Sequence, residues 1–123
     1  VPADTAKDLP EERPMDLTVS TERRDGGILY LIVTGEVDLS TAGVLQREIV
    51  SGLDAQDVPG IVVDLTEVTF LDSSGIRVLL KGRRSAEEKA KSYLVDAPRG
   101  GAGRILDISG VREHLAYQGT GER

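Results

Sequence analysis

The chain has 123 residues, 39% of them hydrophobic, which is about one domain with a modest core. It contains no cysteine and one histidine, His114, which excludes a disulfide scaffold, a thiolate zinc site, a thiol nucleophile and a histidine-cluster metal site. The formal charge of -6 argues against non-specific nucleic-acid binding, and no run is apolar enough to span a bilayer or to form a signal-peptide core, so a soluble cytoplasmic protein is expected.

Only Tyr30, Tyr93, Tyr117 and Phe70 are aromatic, so the core must be built from Val, Ile, Leu and Ala. Residues 1–15 are rich in proline and acid and read as a mobile acidic tail. From residue 16 to 22, Leu17 and Val19 alternate with polar neighbours, the pattern of a half-buried strand. Arg24-Asp25-Gly26-Gly27 offers the positive-φ positions of a tight hairpin turn. Ile28 to Val33 is nearly all apolar and predicts a central second strand. Gly35-Glu36-Val37-Asp38 is expected to lead out of the sheet, with Asp38, Ser40 and Thr41 as candidate N-caps for the next segment. Ala42, Leu45, Ile49 and Leu53 recur at helical spacing and predict a helix of about three turns.

Past Pro59-Gly60, Ile61 to Leu65 reads as a short buried parallel strand, and a second apolar stretch runs from Val68 to Leu71. Ile76, Leu79 and Leu80 share one face of the next predicted helix. Tyr93-Leu94-Val95 reads as a strand closed by Pro98. A short helix carries Ile105, Leu106 and Ile108, with Gly110 as its stop. Residues 111–117 suit a last edge strand, and 118–123 a frayed end. The order strand, strand, helix, strand, helix, strand, helix, strand predicts an α/β fold. Its sheet is mixed, with an N-terminal hairpin, right-handed crossovers and helices packed mainly on one face.

Charge is uneven: residues 1–72 carry 15 acids and 5 bases, whereas residues 73–123 carry 6 acids and 10 bases. Lys81, Arg83, Arg84, Lys89 and Lys91 form a dense basic group, either a solvated helix face or a patch for an acidic partner.

The most informative segment is Asp72-Ser73-Ser74-Gly75, at the join of an apolar strand and an amphipathic helix. Ordinary helix capping accounts for such residues without any function. The functional alternative is a phosphoacceptor serine, because the free N–H groups and dipole of a helix start tolerate a phosphoryl group. Gly100-Gly101-Ala102-Gly103 lacks the Walker and dinucleotide patterns and reads as a flexible loop. Asp38 and Asp72, in separate loops, read as caps rather than a catalytic pair, and His114 as a surface residue, so no catalytic constellation stands out.

Three segments together resemble the STAS domain of anti-sigma-factor antagonists. They are Gly35-Glu36-Val37-Asp38, then Val62-Val63-Asp64-Leu65 with Val68-Thr69-Phe70-Leu71-Asp72-Ser73-Ser74-Gly75-Ile76, and finally Ile105-Leu106-Asp107-Ile108-Ser109-Gly110-Val111. The resemblance covers residues 16–117. It implies a STAS domain there and a non-enzymatic partner-switching regulator without cofactor or metal. Such an antagonist binds an anti-sigma factor that is also a serine kinase and thereby releases the sigma factor. The kinase inactivates it by phosphorylating the serine that maps to Ser73, and a phosphatase restores it. Asp72, Ser74 and Gly75, with Gly75 at the motif's turn position, are the implied phosphosite surroundings. Asp38, Ser40, Thr41, Ser73, Ser74, Ile76 and Arg77 are the implied partner surface. The glycine-rich 100–103 segment and the polar end after Tyr117 depart from the family pattern, which carries a bulkier run and a last helix there. Two alternatives remain: a STAS interaction subunit of a lipid-transport or transporter system, and a nucleotide-binding enzyme.

Overall fold

The computed structural model describes residues 17–97, 103–106 and 116–117. The expected acidic tail, the frayed end, His114, Ile108, Gly110, Pro98 and most of the last predicted strand lie outside the described residues. The chain runs β1 (Thr18–Arg23), a 3-10 turn (Asp25–Gly27), β2 (Leu29–Val37), α1 (Ala42–Asp54), β3 (Gly60–Leu71), α2 (Ser73–Lys89) and β4 (Ser92–Asp96). Residues 103–106 add a third helical stretch.

The strands form one mixed sheet in the order β1-β2-β3-β4. β1 and β2 are the antiparallel hairpin, with Val19 opposite Val33. Its turn is made by Gly26 and Gly27, both at positive φ, and Asp25 takes an ordinary conformation. α1 and α2 then carry the chain to the parallel neighbours β3 and β4. Tyr117 makes an antiparallel bridge to Tyr93, which agrees with an edge segment there.

Both helices cover one face, because their apolar stripes meet the same set of strand residues. Leu45, Ile49 and Leu53 of α1 and Leu79 of α2 are fully buried with Leu31, Val33, Val63 and Leu65 of the sheet. Burying each such side chain contributes about 1.5–3 kcal/mol. Ile76 and Leu80 are only half-buried against this core. The single large aromatic in it, Tyr93, donates its hydroxyl hydrogen to the Leu79 carbonyl at 2.8 Å.

Two expectations are corrected. Gly35-Glu36-Val37 does not leave the sheet: it pairs with Val68, Phe70 and Leu71 of β3. Register shifts between Ile32 and Thr34 and between Gly35 and Glu36 absorb the mismatch, and Gly35 sits at φ 115, a conformation that favours glycine. The two apolar stretches 61–65 and 68–71 are one strand of 12 residues. Thr66 and Glu67 interrupt the apolar run, and the register shifts beside them, but pairing with β2 resumes at Glu67 opposite Thr34.

Candidate functional site

β2 and β3 are parallel, so their ends, Val37 and Leu71, lie side by side. The loops that come after them therefore open at the same edge of the sheet, the edge at which open α/β sheets commonly place their sites. The Asp72 amide donates to the Val37 carbonyl at 3.1 Å and ties the second loop to the first.

In the first loop Asp38 folds the backbone back on itself. Its Oδ1 accepts from the Ser40 hydroxyl at 2.7 Å, the Ser40 amide at 3.0 Å, the Thr41 amide at 3.1 Å and the Thr41 hydroxyl at 3.2 Å. The Ser40 hydroxyl is the main cause that holds the Asp38 carboxyl below the usual carboxylate range; desolvation opposes it, and the Thr41 hydroxyl and the two amides add to the lowering. Thr41 Oγ1 lies 2.8 Å from the Glu36 carbonyl and accepts from the Asp38 amide at 2.9 Å. Thr41 holds the N-cap position of α1 but makes no side-chain cap bond. The expectation of a side-chain cap from Asp38, Ser40 or Thr41 is thus corrected: these groups spend their hydrogen bonds on the turn.

In the second loop Asp72 is the N-cap of α2. Its Oδ1 accepts from the Ser74 amide at 2.8 Å and the Gly75 amide at 3.4 Å. Ser73 is the first helical residue, exposed, and its hydroxyl has no hydrogen-bond partner among the described residues. Ser74 is half-buried. Gly75 is not a turn residue: it is buried inside the first turn of α2, seated on the strand ends. A β-carbon there would come within 2.4 Å of Leu71 Cδ1 and 2.6 Å of Val37 Cγ1. The motif glycine is what lets α2 start directly on top of the sheet.

The family model described as "Mlab, STAS domain" matches residues 20–117. The chain belongs to the STAS domain family. This STAS domain is 27% identical over 97 residues to the anti-sigma F factor antagonist of Paenibacillus polymyxa, covering 79% of this chain and 82% of that protein. It is 26% identical over 102 residues to the anti-sigma-B factor antagonist of Listeria monocytogenes, covering 80% of this chain and 86% of that one. The crystal structure of an anti-sigma factor antagonist from Mycobacterium paratuberculosis superposes with a TM-score of 0.72 at 27% identity, covering 85% of this chain and 87% of that chain.

Of the residues expected at the site, the STAS fold brings Asp38, Ser40 and Thr41 into one hydrogen-bonded loop beside Asp72, Ser73, Ser74 and Gly75. Ile76 is partly spent on the core, while Arg77 is exposed one turn below Ser73. Sequence reasoning missed two residues. Leu39, between Asp38 and Ser40, is 82% exposed, and Phe70, two residues before Asp72, is 48% exposed rather than part of the core. The available signal at 39 was an apolar residue inside a polar turn; at 70 the sequence carries none, because the exposure follows from the pairing with Glu36. Among the described residues no helix is long and apolar enough to cross a membrane, and no group of three metal-ligating side chains is found.

Proposed function

We propose that this chain is an anti-sigma-factor antagonist. It docks the edge formed by the Asp38–Thr41 loop and the start of α2 on an anti-sigma factor that is also a serine kinase, and this releases the sigma factor. Phosphorylation of Ser73 by that kinase switches it off, and a phosphatase restores it. The names of the relatives support the antagonist role. One observation carries the switch: Asp72 already caps α2, so the adjacent Ser73 hydroxyl is exposed and uncommitted.

The consequence is a modification felt outside and not inside. A phosphoryl group adds about -1.5 to -2 charge at a helix start, where the dipole and free amides favour it. A partner pressed onto the same spot would have to desolvate that group, which is costly without a matching cation. Leu39, inside the Asp38–Thr41 loop, is 82% exposed and offers the partner apolar surface.

The test begins by co-purifying the chain from its host with Ser73→Ala as bait and identifying what binds. The recovered kinase and ATP are then incubated with wild type, Ser73→Ala and Ser74→Ala, and phosphate is located by mass spectrometry. Binding titrations are then run for each variant and for Ser73→Asp. Modification at Ser73, lost affinity in the modified protein and in Ser73→Asp, and retained affinity in Ser73→Ala are expected. Phosphate on Ser74, or unchanged affinity after full modification of Ser73, overturns the reading. Recovery of transport-complex chains in place of a kinase would point to the interaction-subunit role.

A further inference from the structure

The cations of α2 and of the turn after it fall into two groups by their contacts. Arg83 pairs with Glu87 at 2.9 Å, and its Nε donates to the Ala116 carbonyl. Lys89 pairs with Asp54 at 3.2 Å. Lys91 donates to the Leu53 and Ala55 carbonyls at the end of α1. These three cations serve the fold. Arg77, Lys81 and Arg84 do not: all are exposed, and none has an ion pair among the described residues.

Their spacing places them together. Ser73, Arg77, Lys81 and Arg84 fall within about 80° of arc on a helix of 100° per residue, over a rise of roughly 16 Å. The phosphoacceptor candidate therefore stands at the head of a row of these three cations, with Arg77 one turn away. Gln46 and Val50 of α1 line the α1–α2 groove beside Lys81, and neither is charged. Glu88, one turn past Arg84, is the acid at the far end of the row and pairs with none of these cations. On a chain of net charge -6 this is a local inversion of sign.

We propose that the Arg77–Lys81–Arg84 row is an electrostatic docking surface for an acidic face of the protein partner, next to the Ser73 contact. The proposal rests on the antagonist reading and adds the chemistry of the partner to it. A lipid surface fits the row poorly: a surface-bound helix needs an apolar face turned to solvent, and the apolar face of α2 is spent on the sheet. Nucleic acid fits poorly too, because three cations on an acidic protein neutralise few phosphates. Charges of this kind act on encounter, raising the association rate in a salt-dependent manner. Phosphorylation at Ser73 would place about -1.5 to -2 of charge one turn from Arg77, so modification would weaken the steering as well as the contact.

The test uses the purified anti-sigma factor recovered with the Ser73→Ala bait, with association followed by stopped flow at 50 and 300 mM NaCl. The variants are Arg77→Gln/Lys81→Gln/Arg84→Gln, Ser73→Asp, and Arg47→Gln as an exposed cation of α1 away from the row. The triple variant should associate roughly tenfold more slowly at 50 mM, an effect within the range seen for steering charges. It should also lose most of the salt dependence that wild type shows, while Arg47→Gln stays within about twofold of wild type. Wild-type rate and salt slope in the triple variant overturn the proposal. So does wild type, but not the triple variant, binding phosphatidylglycerol vesicles or duplex DNA in the same buffers, or a bait that retains nothing. A weak Ser73→Asp with a normal triple variant sinks the docking row and leaves the switch standing; the reverse pattern sinks the switch and leaves the row.

Discussion

Gly75→Ala offers a direct measure of how tightly the site is pressed onto the sheet. The added methyl would sit 2.4 Å from Leu71 Cδ1, 2.6 Å from Val37 Cγ1 and 3.3 Å from Val37 Cβ. Carbon atoms pack best at about 3.5–4.0 Å, so two contacts are about 1 Å too short. The Leu71 methyl ends a flexible side chain and can swing away. Val37 is β-branched, fully buried and stiff at χ1, so it yields little. Overpacking of this kind costs about 1–3 kcal/mol, against about 1 kcal/mol gained in helix propensity, which leaves a net loss near 1 kcal/mol. For a domain of this size that lowers Tm by about 4–8 °C. Gly43→Ala, in α1, is the control: its β-carbon would meet only Arg47 Nη1, at 3.8 Å, so the same substitution should be neutral or stabilising by up to about 1 kcal/mol. Urea denaturation followed by circular dichroism measures both. Val37→Ala makes room for the new methyl, so the double variant Gly75→Ala/Val37→Ala should lose about 0.5 kcal/mol or more less than the two single losses together. Equal stability of Gly75→Ala and Gly43→Ala, or strict additivity with Val37→Ala, would refute the packing argument.

Asp72→Ala should cost about 1 kcal/mol by removing the cap of α2, while Ser73→Ala costs only a few tenths, both read by urea denaturation. A larger loss at Ser73 than at Asp72 would reverse the assignment of the cap. Lys91→Met should cost about 1.5–3 kcal/mol, since its ammonium donates to the Leu53 and Ala55 carbonyls at 2.8 and 2.6 Å. Ala90→Gly should instead stabilise by about 1 kcal/mol, because Ala90 ends α2 in the left-handed conformation at φ 58, and an unchanged Tm would count against that strain. The lowered pKa of Asp38 fixes the sign of a pH effect on its loop: the turn's hydrogen bonds are fully present above the ordinary carboxylate range and are lost as pH falls through the depressed value. Amide shifts of Ser40 and Thr41 should hold steady from pH 7 to about 5 and move only below about pH 4, and movement at pH 6 would contradict the assignment.

Much of the fold was legible because the core pattern is simple. Ala42, Leu45, Ile49 and Leu53 recur at helical spacing and are all buried, and Val19 of β1 and Leu17 just before it both pack on the core as expected. The illegible part depends on pairing between distant residues. Thr66 and Glu67 look like the end of a strand, yet β3 continues because β2 lies alongside it. Gly35 looks like an exit from the sheet, yet it sits between two register shifts that keep Val37 level with Leu71. Local propensity carries no information on either, since each is decided by a neighbour more than 30 residues away. The exposure of Phe70 escaped for the same reason: within the apolar run 68–71 only the register, which sets Phe70 opposite Glu36, assigns its face.

The site was legible in its residues but not in its division of labour. Asp, Ser and Asn are nearly equal as N-caps, so Asp72-Ser73-Ser74 leaves open which side chain satisfies the helix start. The structure assigns that duty to Asp72 and leaves the Ser73 hydroxyl without a partner among the described residues. The distinction matters for a switch. If Ser73 were the cap, a phosphoryl group there would have to replace a bond that holds the helix, and binding could not change without stability. With Asp72 as cap, and Gly75 fixing the first turn against Val37 and Leu71, the helix start is held without help from Ser73. A side chain that contributes little to the fold is one whose charge can be changed while the fold stays put. Comparing Ser73→Asp with Asp72→Ala tests this separation. The first should leave Tm within about 2 °C of wild type, a few tenths of a kcal/mol, because an acidic group at the first helical position suits the dipole. The second should lower Tm by about 4–8 °C. Equal losses in the two would mean that Ser73 shares the structural load, and its modification could not act on the partner surface alone.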